Sequence, residues 1–301
     1  MLHHDKQMFE QMILRTSSYL GVKAEIVEKD YFVTLFLKKL TEIMPEIVFK
    51  GGTSLSKCYH VIQRFSEDID LNLQADKKPS ESQRKRMKSA IIQVIEKLQF
   101  QLMNPEDVRS RREYNRYMID YPSSVSADYL KEQLIVETAI YQKAYPIRKM
   151  KADSLIYQFL TQNGFNEYVE QYDLDPFELN VQTAERTMID KIYALADYYL
   201  LGTTAEHSRH IYDIYKLSGI VEVNESLKEL AVSVAEERKP HKMSLSVQDG
   251  VKVGEVLRQI IADRIYEDDY EQITKPLLFE DVSYQQAIAA LENILQSGLF
   301  D

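Results

Sequence analysis

IVFKGGTSLSKCYHVIQRFSEDIDLNL, residues 47–73, decides how the rest of the chain is read. Ile47-Val48-Phe49 is a short apolar run of the buried-strand type. Gly51-Gly52-Thr53-Ser54 follows at once and opens a helical pattern with Leu55, Tyr59 and Ile62 on one face. Ser66 to Leu73 then alternates polar and apolar residues with the period of a half-buried strand. On that strand Asp68 and Asp70 point one way, while Ile69, Leu71 and Leu73 point to the core. Two carboxylates side by side repel each other, and a divalent cation removes the penalty. Mg²⁺ commonly takes a carboxylate or two together with phosphate oxygens. The Gly-Gly turn is the complement, because glycines let the backbone approach a phosphate and the first helical N–H groups point at it. Alone, either motif often marks only a turn or a surface strand; in this order they form the layout of a nucleotide-handling enzyme.

GGTSLSK followed by RFSEDIDL resembles the DNA-polymerase-β-like nucleotidyltransferases. It is more closely similar to the AbiEii/AbiGii-type toxin branch, which is related to the MenT toxins. The spacer between the glycines and the acids is long, which suits that branch. The resemblance implies an α+β fold, with a mixed sheet flanked by helices and then a helical C-terminal domain. It also implies an NTP-dependent, Mg²⁺- or Mn²⁺-dependent transfer to an acceptor, with RNA or the tRNA 3′ end expected. The expected biological role is that of a toxin with a separately encoded antitoxin in abortive infection, a phage defence.

The 301 residues suffice for one large or two modest domains. No apolar run approaches a membrane span, and the N-terminus does not read as a signal peptide. Cys58 is the one cysteine, so no internal disulfide forms, which fits a cytoplasmic protein. Cys58 reads as a small core residue rather than a nucleophile. The net charge of −10 argues against a broad nucleic-acid-coating surface but leaves room for a local basic patch.

Along the chain, helices are expected over 6–20 and 24–44, broken at Gly21 and ended by Pro45. Lys29-Asp30-Tyr31 matches a segment of the branch and reads as structural. Residues 74–80 read as a loop, and Ser80 with Gln83 forms a capping box for a helix over 81–98. Its basic face reads as solvated surface. Val108 to Pro122 reads as an extended arm on which Arg112, Tyr114 and Arg116 share a face. Arginine interleaved with tyrosine grips phosphates and stacks bases, and it is equally normal on an exposed edge. Gln133 to Tyr141 is the next strand. By the resemblance, a third acid there completes the metal site: Glu137, with Glu132 as the second candidate.

From about 176 the chain reads as helical, giving domains 1–175 and 176–301. After a short extended entry at 177–181, helices are expected at 183–200, 205–217, 222–238, 246–264 and 283–297. Lys191 reads as a surface lysine on the first. On the second, Arg209 and Asp213 share a face at i and i+4, the spacing of an ordinary helix ion pair. The resemblance instead implies that Lys191 and Arg209 meet the bound nucleotide and that Asp213 belongs to the catalytic centre. It places Gly51, Gly52, Thr53, Ser54 and Lys57 around the triphosphate, and Asp68, Asp70 and Glu137 on the metal. His207, His210 and Asp213 do not have zinc-site spacing. The rivals are transfer to a small molecule or protein, and a non-catalytic nucleotide-binding module.

Overall fold

Local chemistry sets the helix ends. The Asp5 side chain accepts from the Met8 N–H and starts α1, Lys6–Leu20. Gly21 ends it in the left-handed region at φ 68°, and α2, Ala24–Ile43, follows. The computed structural model describes residues 1–66, 68–74, 79–125, 133–141 and 143–300. Two units divide them: Met1–Tyr59 with Ser66–Val181, and His60–Phe65 with Gln182–Asp301.

In the first unit the chain continues as β1 (Ile47–Lys50), α3 (Gly51–Lys57), β2 (Asp68–Leu73) and α4 (Glu81–Lys97). Ser80 and Gln83 make the capping box that starts α4. Then come β3 (Gln101–Leu102), β4 (Tyr114–Asp120), β5 (Gln133–Ala139), β6 (Ile147–Ala152), α5 (Leu155–Gln162), α6 (Asn166–Tyr172) and β7 (Phe177–Gln182). The strands form one mixed sheet in the order β3-β4-β5-β2-β1-β7-β6. β1 runs antiparallel to β2 and parallel to β7, while β2 runs parallel to β5. One face of the sheet is covered by apolar side chains: Ile69, Leu71, Leu134 and Val136 join Phe32, Phe36 and Leu40 of α2 and Ile91 and Val94 of α4 in one core. The opposite face is left to carry polar chemistry.

Two expectations change. The helix after the glycines stops at Lys57, so Tyr59 and Ile62 are not helical. His60 turns the chain through φ 53°, and residues 61–65 form no helix or strand beyond an isolated bridge of Arg64 to Leu278. The region 143–175, to which no element is assigned from sequence, holds β6, α5 and α6. The short alternation of β6 and the Ser154 cap of α5 carry that information, but each is too brief to stand out in sequence.

The second unit is built of α7 (Ala184–Leu201), α8 (Arg209–Ser218), α9 (Glu225–Arg238), α10 (Val253–Ala262), α11 (Glu267–Asp269) and α12 (Tyr284–Gln296). Thr183 caps α7 at its start and Gly202 ends it in the left-handed region. The helix expected from 205 begins at Arg209, after a turn. The one expected over 246–264 is shorter, beginning at Val253. α8 packs on α7 and α12, burying Met188, Ile192, Ile211, Ile214, Leu291 and Ile294. None of the helices among the described residues is long and apolar enough to cross a membrane.

Candidate active site

The register of four strands sets a row of charged residues across the polar face. Lys50 on β1 pairs with Asp70 on β2, Asp70 with Glu137 on β5, and Glu137 with Arg116 on β4. Directly paired residues share a face, and Asp68 joins them two residues before Asp70. Asp68, Asp70 and Glu137 are half-buried. One carboxylate oxygen of Asp68, Oδ1, is buried with no hydrogen-bond partner among the described residues. An orphaned carboxylate oxygen is costly in a protein interior and is satisfied by a cation. The donor chemistry therefore fits a divalent ion. Among the described residues no three His, Cys, Asp or Glu side chains are drawn together as a finished metal cluster. Instead Arg116 Nε lies 3.7 Å from the Glu137 carboxylate. Glu132 lies outside the described residues.

The glycine turn is fitted to this row. Gly51 has φ 76°, and a Cβ built on it would lie 2.0 Å from Asp70 Oδ2. Only glycine allows both the backbone angle and that approach. The Thr53 hydroxyl donates to the Asp68 carbonyl at 2.6 Å, pinning α3 to β2. The Ser54 hydroxyl donates to the Gly51 carbonyl at 2.8 Å and closes the turn. Gly52 follows Gly51 in the first turn of α3.

Lys57, which the resemblance sets at the triphosphate, turns towards α2. Its ammonium, 4% exposed, donates to Asp30 Oδ1 and Thr34 Oγ1, both at 2.6 Å. Asp30 also accepts from the Leu155 N–H, at the start of α5. The Lys29-Asp30-Tyr31 segment thus fastens α2 to α3 and α5. Cys58 is buried, and burial pushes its thiol up to about 12, so it carries no thiolate chemistry.

In the second unit, Asp213 is wholly buried and held by two cations. Arg64 grips it with Nε and Nη2, each at 2.7 Å, and Lys191 Nζ reaches it at 2.7 Å. Burial alone would push the carboxyl up; Arg64 and then Lys191 hold it well below the usual range. Burial pushes the Lys191 ammonium down, against the pull of Asp213. Lys191 is thus a buried residue, not a surface one, because it shares the burial of the carboxylate that it neutralises. Asp213 is held by Arg64 and Lys191, while Arg209 is exposed at the start of α8. His210 Nδ1 lies 3.5 Å from Lys191 Nζ. Burial, then the Lys191 charge, pushes its imidazole well below the usual value.

Arg64 carries no role legible in the sequence. It stood inside the RFSEDIDL motif, but its partner is 149 residues away, beyond any spacing rule. Its neighbours fix it in place. The Gln63 N–H donates to the Tyr212 hydroxyl at 2.9 Å, and the Phe279 N–H donates to the Gln63 carbonyl at 2.8 Å.

A family model described as nucleotidyl transferase AbiEii toxin, type IV toxin–antitoxin system, matches residues 36–296. Among solved structures, the chain is similar to MenT4, a nucleotidyltransferase toxin from Mycobacterium tuberculosis H37Rv, with a TM-score of 0.56 at 16% identity. That alignment covers 96% of this chain and 89% of the MenT4 chain, and at this identity it speaks to the fold. No curated protein matches at a significant level. The family match spans the glycine turn, the acidic row and the Arg64–Asp213–Lys191 set alike: the chain belongs to the AbiEii family of nucleotidyltransferase toxins, the toxin component of type IV toxin–antitoxin systems.

Proposed function

We propose that the protein transfers a nucleotide from an NTP to RNA, with the tRNA 3′ end as the acceptor, in a Mg²⁺- or Mn²⁺-dependent reaction. The observation that carries this reading is the acidic row: Asp68, Asp70 and Glu137 on one sheet face, with Gly51 against Asp70 and an orphaned oxygen on Asp68. Asp68, Asp70 and Glu137 would hold the cations. When bound, they supply charge that activates the acceptor oxygen and steadies the departing pyrophosphate. The backbone of Gly51, Gly52, Thr53 and Ser54 cradles the triphosphate, and Lys191 and Arg209 offset its charge. Lys57 is left out: it sits at the far end of α3 from the glycines, and its ammonium fastens that end to Asp30 and Thr34 of α2. Asp213 keeps Lys191 charged and oriented. The RNA acceptor is favoured by the exposed Arg109, Arg111, Arg112, Tyr114 and Arg116, which concentrate positive charge and one aromatic ring on and before β4 in an otherwise acidic protein. A separately encoded antitoxin follows from the family, and phage defence in the cytoplasm is the setting that suits it.

The test is incubation of purified protein with each labelled NTP, total RNA and Mg²⁺ or Mn²⁺. Label should enter small RNA with one preferred NTP, and Asp70→Asn should abolish it while the thermal midpoint stays put. Equal labelling by the variant would remove the acidic row from the chemistry. Label entering only a small metabolite would replace the RNA acceptor.

A further inference from the structure

Glu137 has two neighbours on β4, and they are of opposite kinds. Register sets Arg116 directly across from Glu137 and Tyr114 across from Ala139, two residues on, so all three side chains leave the face that carries Asp70. Tyr114 is the diagonal cross-strand neighbour of Glu137, within reach of its carboxylate for a side chain of that length. A phenol is a neutral donor at working pH. Arg116 stands 3.7 Å away with 43% of its side chain exposed. An ion pair so long and so open to water contributes little to stability and breaks readily.

A neutral donor and a cation act on a carboxylate ligand in opposite directions. The donor fixes the orientation of the carboxylate without competing for its charge, and outer contacts of this sort change metal affinity by about 10–100-fold. A guanidinium neutralises the carboxylate and repels an arriving cation.

We propose that Tyr114 is a positioning residue that aims Glu137 towards the cation position beside Asp70, and that Arg116 is the counter-charge that holds Glu137 until a cation displaces it. The inference rests on the reading of Glu137 as the third cation ligand. It adds a loading step to that reading: Arg116 leaves, Tyr114 stays, and the carboxylate changes partner without changing aim.

The experiment is Mn²⁺ binding to the purified full-length chain without nucleotide, followed by the paramagnetic resonance signal of the free ion. Tyr114→Phe should weaken Mn²⁺ roughly 10-fold or more. Arg116→Met should tighten it. In a Glu137→Gln background, Tyr114→Phe should make no further difference, the signature of a residue acting through another. Loss of folding would move both single variants the same way, so responses of opposite sign exclude a merely structural role. Tyr114→Phe binding as the native protein does, or costing as much without Glu137 as with it, overturns the positioning role. Arg116→Met binding more weakly or unchanged overturns the counter-charge. Glu137→Gln binding Mn²⁺ as the native protein does overturns both and withdraws Glu137 from the metal site, while transfer itself is still judged by Asp70→Asn.

Discussion

Asp213 is held from two sides by charge, and that gives its neighbourhood a structural role beside the one proposed for it in transfer. Breaking a buried pair by removing one partner typically costs about 3–5 kcal/mol, because the remaining charge has no water to return to. Arg64→Met and Lys191→Met should each destabilise by that order in denaturant melts. Replacing the whole set by apolar residues removes the unpaired charge. The triple variant Arg64→Met, Lys191→Met, Asp213→Leu should therefore recover most of that stability and still fail to transfer. Recovery of turnover with stability would show the set to be scaffold only. His210 adds a pH dependence. Its folded pKa is lowered, so the unfolded chain binds the proton first as pH falls. Stability is then complete above about 6.5 and declines below it, by at most about 1.4 kcal/mol per pH unit for this residue. His210→Gln should flatten the fall of the thermal midpoint between pH 7 and 5.5, and an unchanged slope would clear His210 of it. His3, pushed down to about 4 chiefly by burial, and His207, also lowered by burial, leave a residual slope of the same sign.

At the scale of elements, the glycine turn and the acidic strand act as one piece. α3 is only seven residues long. It is fixed by the Thr53–Asp68 hydrogen bond and by the contact of Gly51 with Asp70 rather than by its own propensity. Gly51→Ala should cost about 1–2 kcal/mol for the left-handed backbone. Its larger effect falls on function, since the new methyl group must push the Asp70 carboxylate aside. Misplacing a reacting group by an ångström costs about 100-fold, so turnover should fall by that order or more while the fold survives. Comparing turnover and melting midpoint of the one variant checks this, and native turnover would mean that Asp70 tolerates displacement. The pairing of Asp70 with Glu137 belongs to this scale too. The strand at 133–141 was legible, but which residue faced Asp70 depended on register, and register was set by β5 lying parallel beside β2.

At the scale of the molecule, the second unit is discontinuous. It takes residues 60–65 from between α3 and β2, and Arg64 arrives with them. A fragment of residues 182–301 alone would leave Asp213 with Lys191 as its only counter-charge. Set against a typical domain stability of about 5–15 kcal/mol, the loss of about 3–5 kcal/mol is large. That fragment should melt at a lower temperature than the full chain, or without a cooperative transition, as followed by circular dichroism. The same fragment with 60–65 joined by a short flexible linker should regain stability; an undiminished midpoint in the bare fragment would show that the segment is dispensable. The sequence by itself determined the strand–glycine–helix–acid order, the mixed fold that follows it and the helical character of the second half, because these rest on local periodicity and turn chemistry. Tertiary structure alone decided the partners: Lys57 with Asp30, Arg64 with Asp213, Arg116 with Glu137. Each pair joins residues far apart in the chain, or on strands whose register is set by packing, and no local pattern encodes the meeting of two such side chains.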